Sequence, residues 1–293
     1  MPAATLTVGD AEITAILDVE ASIPLAEMFD TSGNPPPGGP EALADRYPEE
    51  FTPDAWRFRD HCFLIRTPTR LTLIDAGAGP AESAFGRWLG TAGVLPDELA
   101  ALGVMPTDID DVILTHVHSD HTGWSTERSA SGWIPRFPNA RYHVHGADVE
   151  WMRGSSDEED VQEFAEVIAP LESAGQLDAS VEDREVSPGL RVLHAPGHTP
   201  GHRCIHLEAG GEHVLFAGDL LHFTFELNDP RFLAPGETDP MQASEARVAW
   251  LDRAETDGLT LATAHLPPSP IGRIVRVAGE RLLQARERPT APA

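Results

Sequence analysis

Apolar and polar residues alternate over residues 4–18, ATLTVGDAEITAILD, with a break at Gly9-Asp10. Period-two alternation around such a break predicts a β-hairpin or two short strands. The apolar runs HCFLI and LTLI flank residues 67–70 and predict a second hairpin that ends at Asp75. Residues 81–102 have a helical pattern. DVILT (111–115) and RYHVH (141–145) each predict a short strand. Residues 146–176 combine helical patterns with many acids and read as a solvated helical insertion. Three further strands are predicted in RVLHAPGH (191–198), HRCIHLEA (202–209) and HVLFAGD (213–219). A helix at 241–257 and a final strand in LTLATAH (259–265) complete the pattern, and the Pro/Thr/Ala-rich tail is expected to fray.

Residues 31–56, TSGNPPPGGPEALADRYPEEFTPDAW, break the alternation. Their prolines and glycines predict a long irregular loop, either a surface excursion, a lid, or an arm packing on a second subunit in a homodimer. No repeat and no linker divides the chain, so residues 1–293 read as one domain. Strands fall in two groups, each followed by helices. Two sheets packed face to face with helices outside fit that order.

Composition excludes more than it specifies. The formal net charge is −26, which repels phosphate backbones and argues against a nucleic-acid partner. Lysine is absent. Two cysteines, Cys62 and Cys204, are too few for a disulfide framework and sit in apolar runs, so buried thiols are expected. The N-terminus lacks the pattern of a signal peptide, and no run approaches the length of a membrane span. A soluble, cytoplasmic protein with no membrane association is the expectation.

The chemistry lies where the strand runs end. DVIL leads into THVHSDHTGW, with His116, His118, Asp120 and His121. RVLHAPG leads to His198, VLFAG to Asp219, LTLATA to His265 and LTLI to Asp75. If these ends share one rim, rigid strands present their loop residues to one point. An extended backbone points His116 and His118 the same way, and Asp120 and His121 follow on a turn that opens a helix. Gly123 lets the backbone pass close by. Imidazole and carboxylate without thiolate suit Zn²⁺, with Mn²⁺, Fe²⁺ and Co²⁺ as alternatives. Two zinc ions need about seven protein ligands, and His116, His118, Asp120, His121, His198, Asp219 and His265 supply them.

These motifs resemble the metallo-β-lactamase superfamily. HxHxDH is present at 116–121, followed in family order by APGHTPG at 195–201, AGD at 217–219 and AH at 264–265, with LIDAGAG at 73–79 before them. The resemblance covers residues 61–265. It implies an α/β fold of the αββα sandwich type, with two mixed β-sheets, helices outside, and a dinuclear metal site at one edge. It implies that His116, His118 and His198 hold one metal, that Asp120, His121 and His265 hold the other, and that Asp219 bridges them. Asp75 is expected to orient a ligating histidine rather than only cap its turn.

Departures from family patterns narrow the choice. No Cys lies in a ligand motif, unlike many zinc β-lactamases, and His118 stands where flavodiiron members have Glu. Three residues past Asp219 is His222, where homoserine-lactone lactonases usually place Tyr. GDLLH looks more like the methyl-parathion-hydrolase-like branch, which also includes lactone and ester hydrolases. The implied activity is a dinuclear zinc hydrolase in which a metal-bridging hydroxide opens a lactone or cleaves an ester, with phosphotriester turnover a further option. Asp120 would orient the nucleophile and His222 would assist the leaving oxygen. Trp124, Phe223, Phe225 and Phe232 are candidate pocket walls. The other histidines read as structural, with His202 bracing the PGHTPGH turn. Two alternatives remain open: a glyoxalase II-like thioesterase, and a metal-bound protein without catalysis.

Overall fold

The computed structural model describes residues 4–29, 35, 38–130 and 132–286. One sheet takes β1 (Ala4–Val8), β2 (Ala11–Pro24), β3 (Ala55–Arg66), β4 (Leu71–Ile74) and β5 (Asp111–Ile113) in sequence order. After a separate hairpin of β6 (Thr126–Ser129) and β7 (Gly132–Pro135), it adds β8 (Arg141–His143) and β9 (Leu177–Asp178). The second sheet runs in order through β10 (Arg184–Ser187), β11 (Leu190–His194), β12 (Arg203–Ala209), β13 (Glu212–Phe216), β14 (Thr260–Ala262), β15 (Ile271–Val277) and β16 (Glu280–Ala285). The helices are α1 (Leu25–Phe29), α2 (Pro40–Arg46), α3 (Ala84–Leu89), α4 (Leu95–Ala101), α5 (Ser119–Thr122), α6 (Gly146–Gly154), α7 (Glu158–Glu163), α8 (Ala169–Ser173) and α9 (Pro240–Asp257).

Strand alternation builds the layers. On β3, Phe63 and Ile65 face the second sheet, where Phe63 meets Phe216 at 5.3 Å between ring centres. Leu64, between them, faces the opposite way and packs with Leu95, Leu99, Met152 and Ile168 of the helical layer. On β13, Val214 and Phe216 point inward, and Leu215 points out to Leu251 and Ala254 of α9. Each fully buried aliphatic or aromatic side chain contributes ~1.5–3 kcal/mol. A one-residue slip would move Phe63 and Ile65 to the wrong face, so the register is held by the core itself. The result is the αββα sandwich with two mixed sheets.

Several expectations need correction. LTLATAH is not the last strand: β15 and β16 follow, joined through Ala278 and Gly279, both at positive φ. Their outer residues are largely exposed, so the run lacks a strong apolar signal. Residues 81–102 form two helices, because Gly90 adopts a left-handed conformation and closes α3. Within residues 31–56, α2 starts at Pro40 and buries Leu43, and β3 already begins at Ala55. The 146–176 segment is less solvated than its acids suggest, since Met152, Val167, Ile168 and Leu171 are in the core. The expected fraying of the tail concerns residues 287–293, which lie outside the described residues. Among the described residues no helix is long and apolar enough to cross a membrane.

One buried acid gives the fold a pH signature. Glu50, in the turn before β3, is 1% exposed and accepts the Thr224 N–H on both carboxylate oxygens at 3.1 Å. Burial outweighs that hydrogen bond, and with nearby Glu226 pushes its carboxyl from 4.5 up to about 8. The folded state therefore holds a proton that the unfolded chain has lost. Glu50 costs nothing below the unfolded value, and stability falls as pH rises towards 8, with a slope approaching about 1.4 kcal/mol per pH unit. Urea unfolding of wild type and Glu50→Gln between pH 5 and 8.5 should show the wild type losing stability relative to the variant. Parallel curves would refute this.

Candidate metal centre

Topology brings the strand ends together. β4 pairs in parallel with β5, and β13 with β14, so the loops leaving their C-terminal ends emerge on one edge of the sandwich. The loop after β5 carries His116 and His118 and opens α5, which carries Asp120 and His121. The turn after β11 carries His198, the tight turn after β13 carries Asp219, and the chain after β14 carries His265. Gly123 lets this loop press on the segment that follows β4: a Cβ there would lie 2.3 Å from the Ala78 carbonyl carbon.

All seven expected residues meet. The candidate ligand atoms of His116, His118, His198 and Asp219 lie within 4.8 Å of one another, and so do those of Asp120, His121, Asp219 and His265. Asp219 is common to both groups. Its Oδ1 lies 3.0 Å from His121 Nε2 and 3.1 Å from His265 Nε2, and its Oδ2 lies 3.3 Å from His198 Nε2. One carboxylate thus faces each group with one oxygen.

The donors fit a divalent cation. His198 Nε2 is 2.8 Å from His118 Nδ1 and 3.1 Å from His116 Nε2, with three ring nitrogens converging. Protons cannot fill all of those contacts, and a shared cation can. His121 Nε2 is buried without a hydrogen bond. The far nitrogens are anchored, which fixes each ring's orientation. His121 Nδ1 meets Asp75 Oδ2 at 3.0 Å, His265 Nδ1 meets the Arg59 carbonyl at 2.6 Å, and His116 Nδ1 meets Thr115 Oγ1 at 3.0 Å. Asp75 also accepts the Thr115 N–H at 2.7 Å and its hydroxyl at 2.9 Å. It therefore steadies His121 directly and His116 through Thr115.

Electrostatics point the same way. Burial alone would raise Asp219, yet the surrounding rings, His121 and His265 foremost, hold its carboxylate well below the usual range. Burial lowers His198, but Asp219 and Glu237 reverse the sign and push it up to about 10. Asp219 likewise overcomes burial at His265 and raises it to about 9. At His116 and His118 burial dominates, and neighbouring rings hold both well below the ordinary value.

Both groups open onto a cavity of about 520 Å³. Ile23, Met28, Trp56, Phe58, Phe85 and Trp88 form an apolar wall. Asp120 and, from α7, Glu159, Asp160 and Glu163 form an acidic one. No described residue of the lining is an arginine. Glu163 accepts the Thr122 hydroxyl, and its removal from water pushes it up to about 8. His222 lines the cavity, with Nε2 3.4 Å from Asp219 Oδ2 and its ring parallel to that of His265.

None of the four pocket-wall residues expected from sequence lines the cavity. Phe223, Phe225 and Phe232 are buried in an aromatic cluster with Phe29 and Phe51, one layer behind the wall. Trp124 faces a different cleft with Trp133, beneath the Arg136 guanidinium at 5.0 Å. Among the described residues of 31–56 only Trp56, which already belongs to β3, lines the cavity. Sequence reading also missed two acids. Glu237 meets His198 Nδ1 at 3.2 Å. Asp60, fully buried, has no hydrogen-bond partner for either carboxylate oxygen. Alternation along β3 puts Asp60 on the face of Trp56 and Phe58, a signal that could have flagged it. His202 does brace its turn: Nδ1 meets the Ala195 carbonyl at 3.0 Å, and Nε2 accepts the Asp219 N–H at 3.1 Å.

Known proteins resemble this chain along most of its length. A family profile described as "Metallo-beta-lactamase superfamily" matches residues 56–281. A probable metallo-hydrolase of Mycobacterium tuberculosis is 26% identical over 253 residues, covering 71% of this chain and 74% of that protein. The N-acyl homoserine lactonase AttM of Azorhizobium caulinodans is 28% identical over 235 residues, covering 70% and 81%. The solved structure of AidC, a dizinc quorum-quenching lactonase in complex with a product, superposes with a TM-score of 0.79 at 20% identity, covering 98% of each chain.

Proposed function

The chain belongs to the metallo-beta-lactamase superfamily, and on that premise we propose that it is a metal-dependent hydrolase. It holds two divalent ions, zinc by preference, and opens a lactone or cleaves an ester whose body is uncharged and apolar. His116, His118 and His198 hold one ion, Asp120, His121 and His265 the other, and Asp219 is shared. The observation that carries this reading is the pair of four-residue groups joined through Asp219 at the base of one cavity. Ions bound there would supply Lewis acidity and a water of lowered pKa at neutral pH.

The chain's own residues do the rest. Asp75, Thr115 and the Arg59 carbonyl hold the imidazoles with their free nitrogens turned inward. Asp120, lining the cavity 3.5 Å from His121 Nε2, is placed to orient a water and accept its proton. His222 is placed to donate a hydrogen bond to an oxygen that leaves or gains charge. The aromatic wall excludes water and receives the acyl or aryl group.

The lining also separates this reading from its rivals. A thioesterase acting on an anionic carrier needs cationic contacts, and the described lining offers none. The homologous lactonase AttM favours the lactone reading. Phosphotriesters, neutral and apolar, suit the same cavity.

The test is the purified, metal-quantified protein run against lactones, aryl esters, phosphotriesters, thioesters and β-lactams. Hydrolysis of neutral lactones or esters is expected. Turnover confined to anionic thioesters would favour the thioesterase, and a metal-loaded protein inert on all five would leave a binding role. A variant sharpens the assignment. Trp88 is 55% exposed at the cavity rim, so Trp88→Ala should leave the fold intact. It should lower kcat/KM about 5–10-fold for esters with long acyl or aryl groups, from the lost apolar contact, and hardly affect acetyl esters. Equal loss for both would argue against the apolar wall as the acyl site.

A further inference from the structure

Behind the cavity lie three charged side chains with no assigned role. Arg247, on the second turn of α9, has a side chain only 1% exposed, and those of Glu226 and Glu237 are fully buried. Arg247 Nη2 donates to Glu237 Oε1 at 2.7 Å and forms an ion pair with Glu226 Oε1 at 3.1 Å. Its Nε donates to the Leu220 carbonyl at 2.8 Å and its Nη1 to the Phe232 carbonyl at 2.7 Å. Each carboxylate turns its second oxygen towards the site. Glu237 Oε2 meets His198 Nδ1 at 3.2 Å, and Glu226 Oε2 accepts the His222 N–H at 2.7 Å.

Two features set this trio apart from a structural ion pair. It meets the site at two points, the His198 ring through Glu237 and the His222 N–H through Glu226. Glu237 must also accept from a ring N–H and a guanidinium N–H at once, each on its own oxygen. A carboxylate can do this, and an amide, with one acceptor oxygen, cannot.

We propose that Arg247 is a positioning residue for the metal site. Through Glu237 it holds the His198 ring with Nε2 turned to the ion. Through Glu226 and the Leu220 carbonyl it holds the segment that carries Asp219 and His222. The proposal rests on the reading that His116, His118 and His198 bind a metal, and it adds that this site's affinity is set from α9. The planar fork of Arg reaches both acids and two carbonyls together, and Lys has no such geometry.

The experiment is stepwise Zn²⁺ titration of metal-free wild type, Glu237→Gln, Glu237→Asp and Arg247→Lys against a chromophoric chelator, with bound metal counted at each step. Wild type should take up two ions. Glu237→Gln should weaken one of the two about 10–100-fold and leave the other unchanged. Glu237→Asp, which keeps the charge but draws the carboxylate back, should act in the same direction if the amide variant folds poorly. Arg247→Lys, which cannot reach both acids and both carbonyls, should also bind the ion held by His198 more weakly than wild type does. Unchanged affinities in all variants, or equal weakening of both ions by the Glu237 variants, would overturn the relay while leaving the two-metal reading in place. A wild type that binds no ion would overturn both.

Discussion

Exhaustive chelation of the purified protein is expected to abolish hydrolysis, and two equivalents of Zn²⁺ per chain to restore it. The expectation follows from how the cluster is built. Five imidazoles and two carboxylates point inward, and the nitrogens that point outward are engaged by protein acceptors at four of the rings. Little else in the cavity can polarise a carbonyl: the described lining lacks Arg, and the chain lacks Lys. Metal removal should also lower the thermal midpoint, since ligand at a thousandfold excess over Kd stabilises by about 4 kcal/mol. Metal analysis, activity and melting on one sample check all three. Full activity in a preparation shown to be metal-free would sink the proposed function.

The second large effect is expected at Asp219. Replacing it with Asn keeps the shape and removes one acceptor oxygen. The amide nitrogen would then face either His198 on one side or His121 and His265 on the other. One of the two groups loses its anionic partner whichever way the amide turns. A fall in kcat/KM on the order of 10³-fold is expected, equivalent to about 4 kcal/mol of transition-state stabilisation. Bound metal should drop below two per chain. Asp219→Asn with wild-type kcat/KM and two metals would mean that the shared carboxylate is not shared in function.

The seven residues that cluster at the candidate metal centre were readable because they follow apolar strand runs, and such runs are the part of a sequence that local pattern reports best. Asp75, His202 and Gly123 were readable for the same reason: they sit inside or beside those motifs. The cavity wall was not. Trp88 and Phe85 come from α3, Met28 from α1, and Glu159 and Asp160 from α7. Nothing in the local pattern of EEDVQE distinguishes a solvated helix from one laid over a site, because only packing of the flanking Val167 and Ile168 decides where it rests. Phe223 and Trp124 misled by proximity. Each lies close to a site residue in sequence, yet Phe223 packs into the aromatic core and Trp124 faces the separate cleft with Trp133. Glu237 and Arg247 lay beyond reach for a further reason. Their partners are 39 and 27 residues away, and a buried ion pair leaves no periodic trace.

The acidic side of the cavity bears on the end of the reaction. Under the proposed function, a neutral ester or lactone would meet Glu159 and Asp160 in the lining without charge repulsion. Its product would carry a carboxylate beside the same acids. The acid formed is then expected to be a weaker ligand than a neutral analogue of the substrate, which product-inhibition kinetics would check.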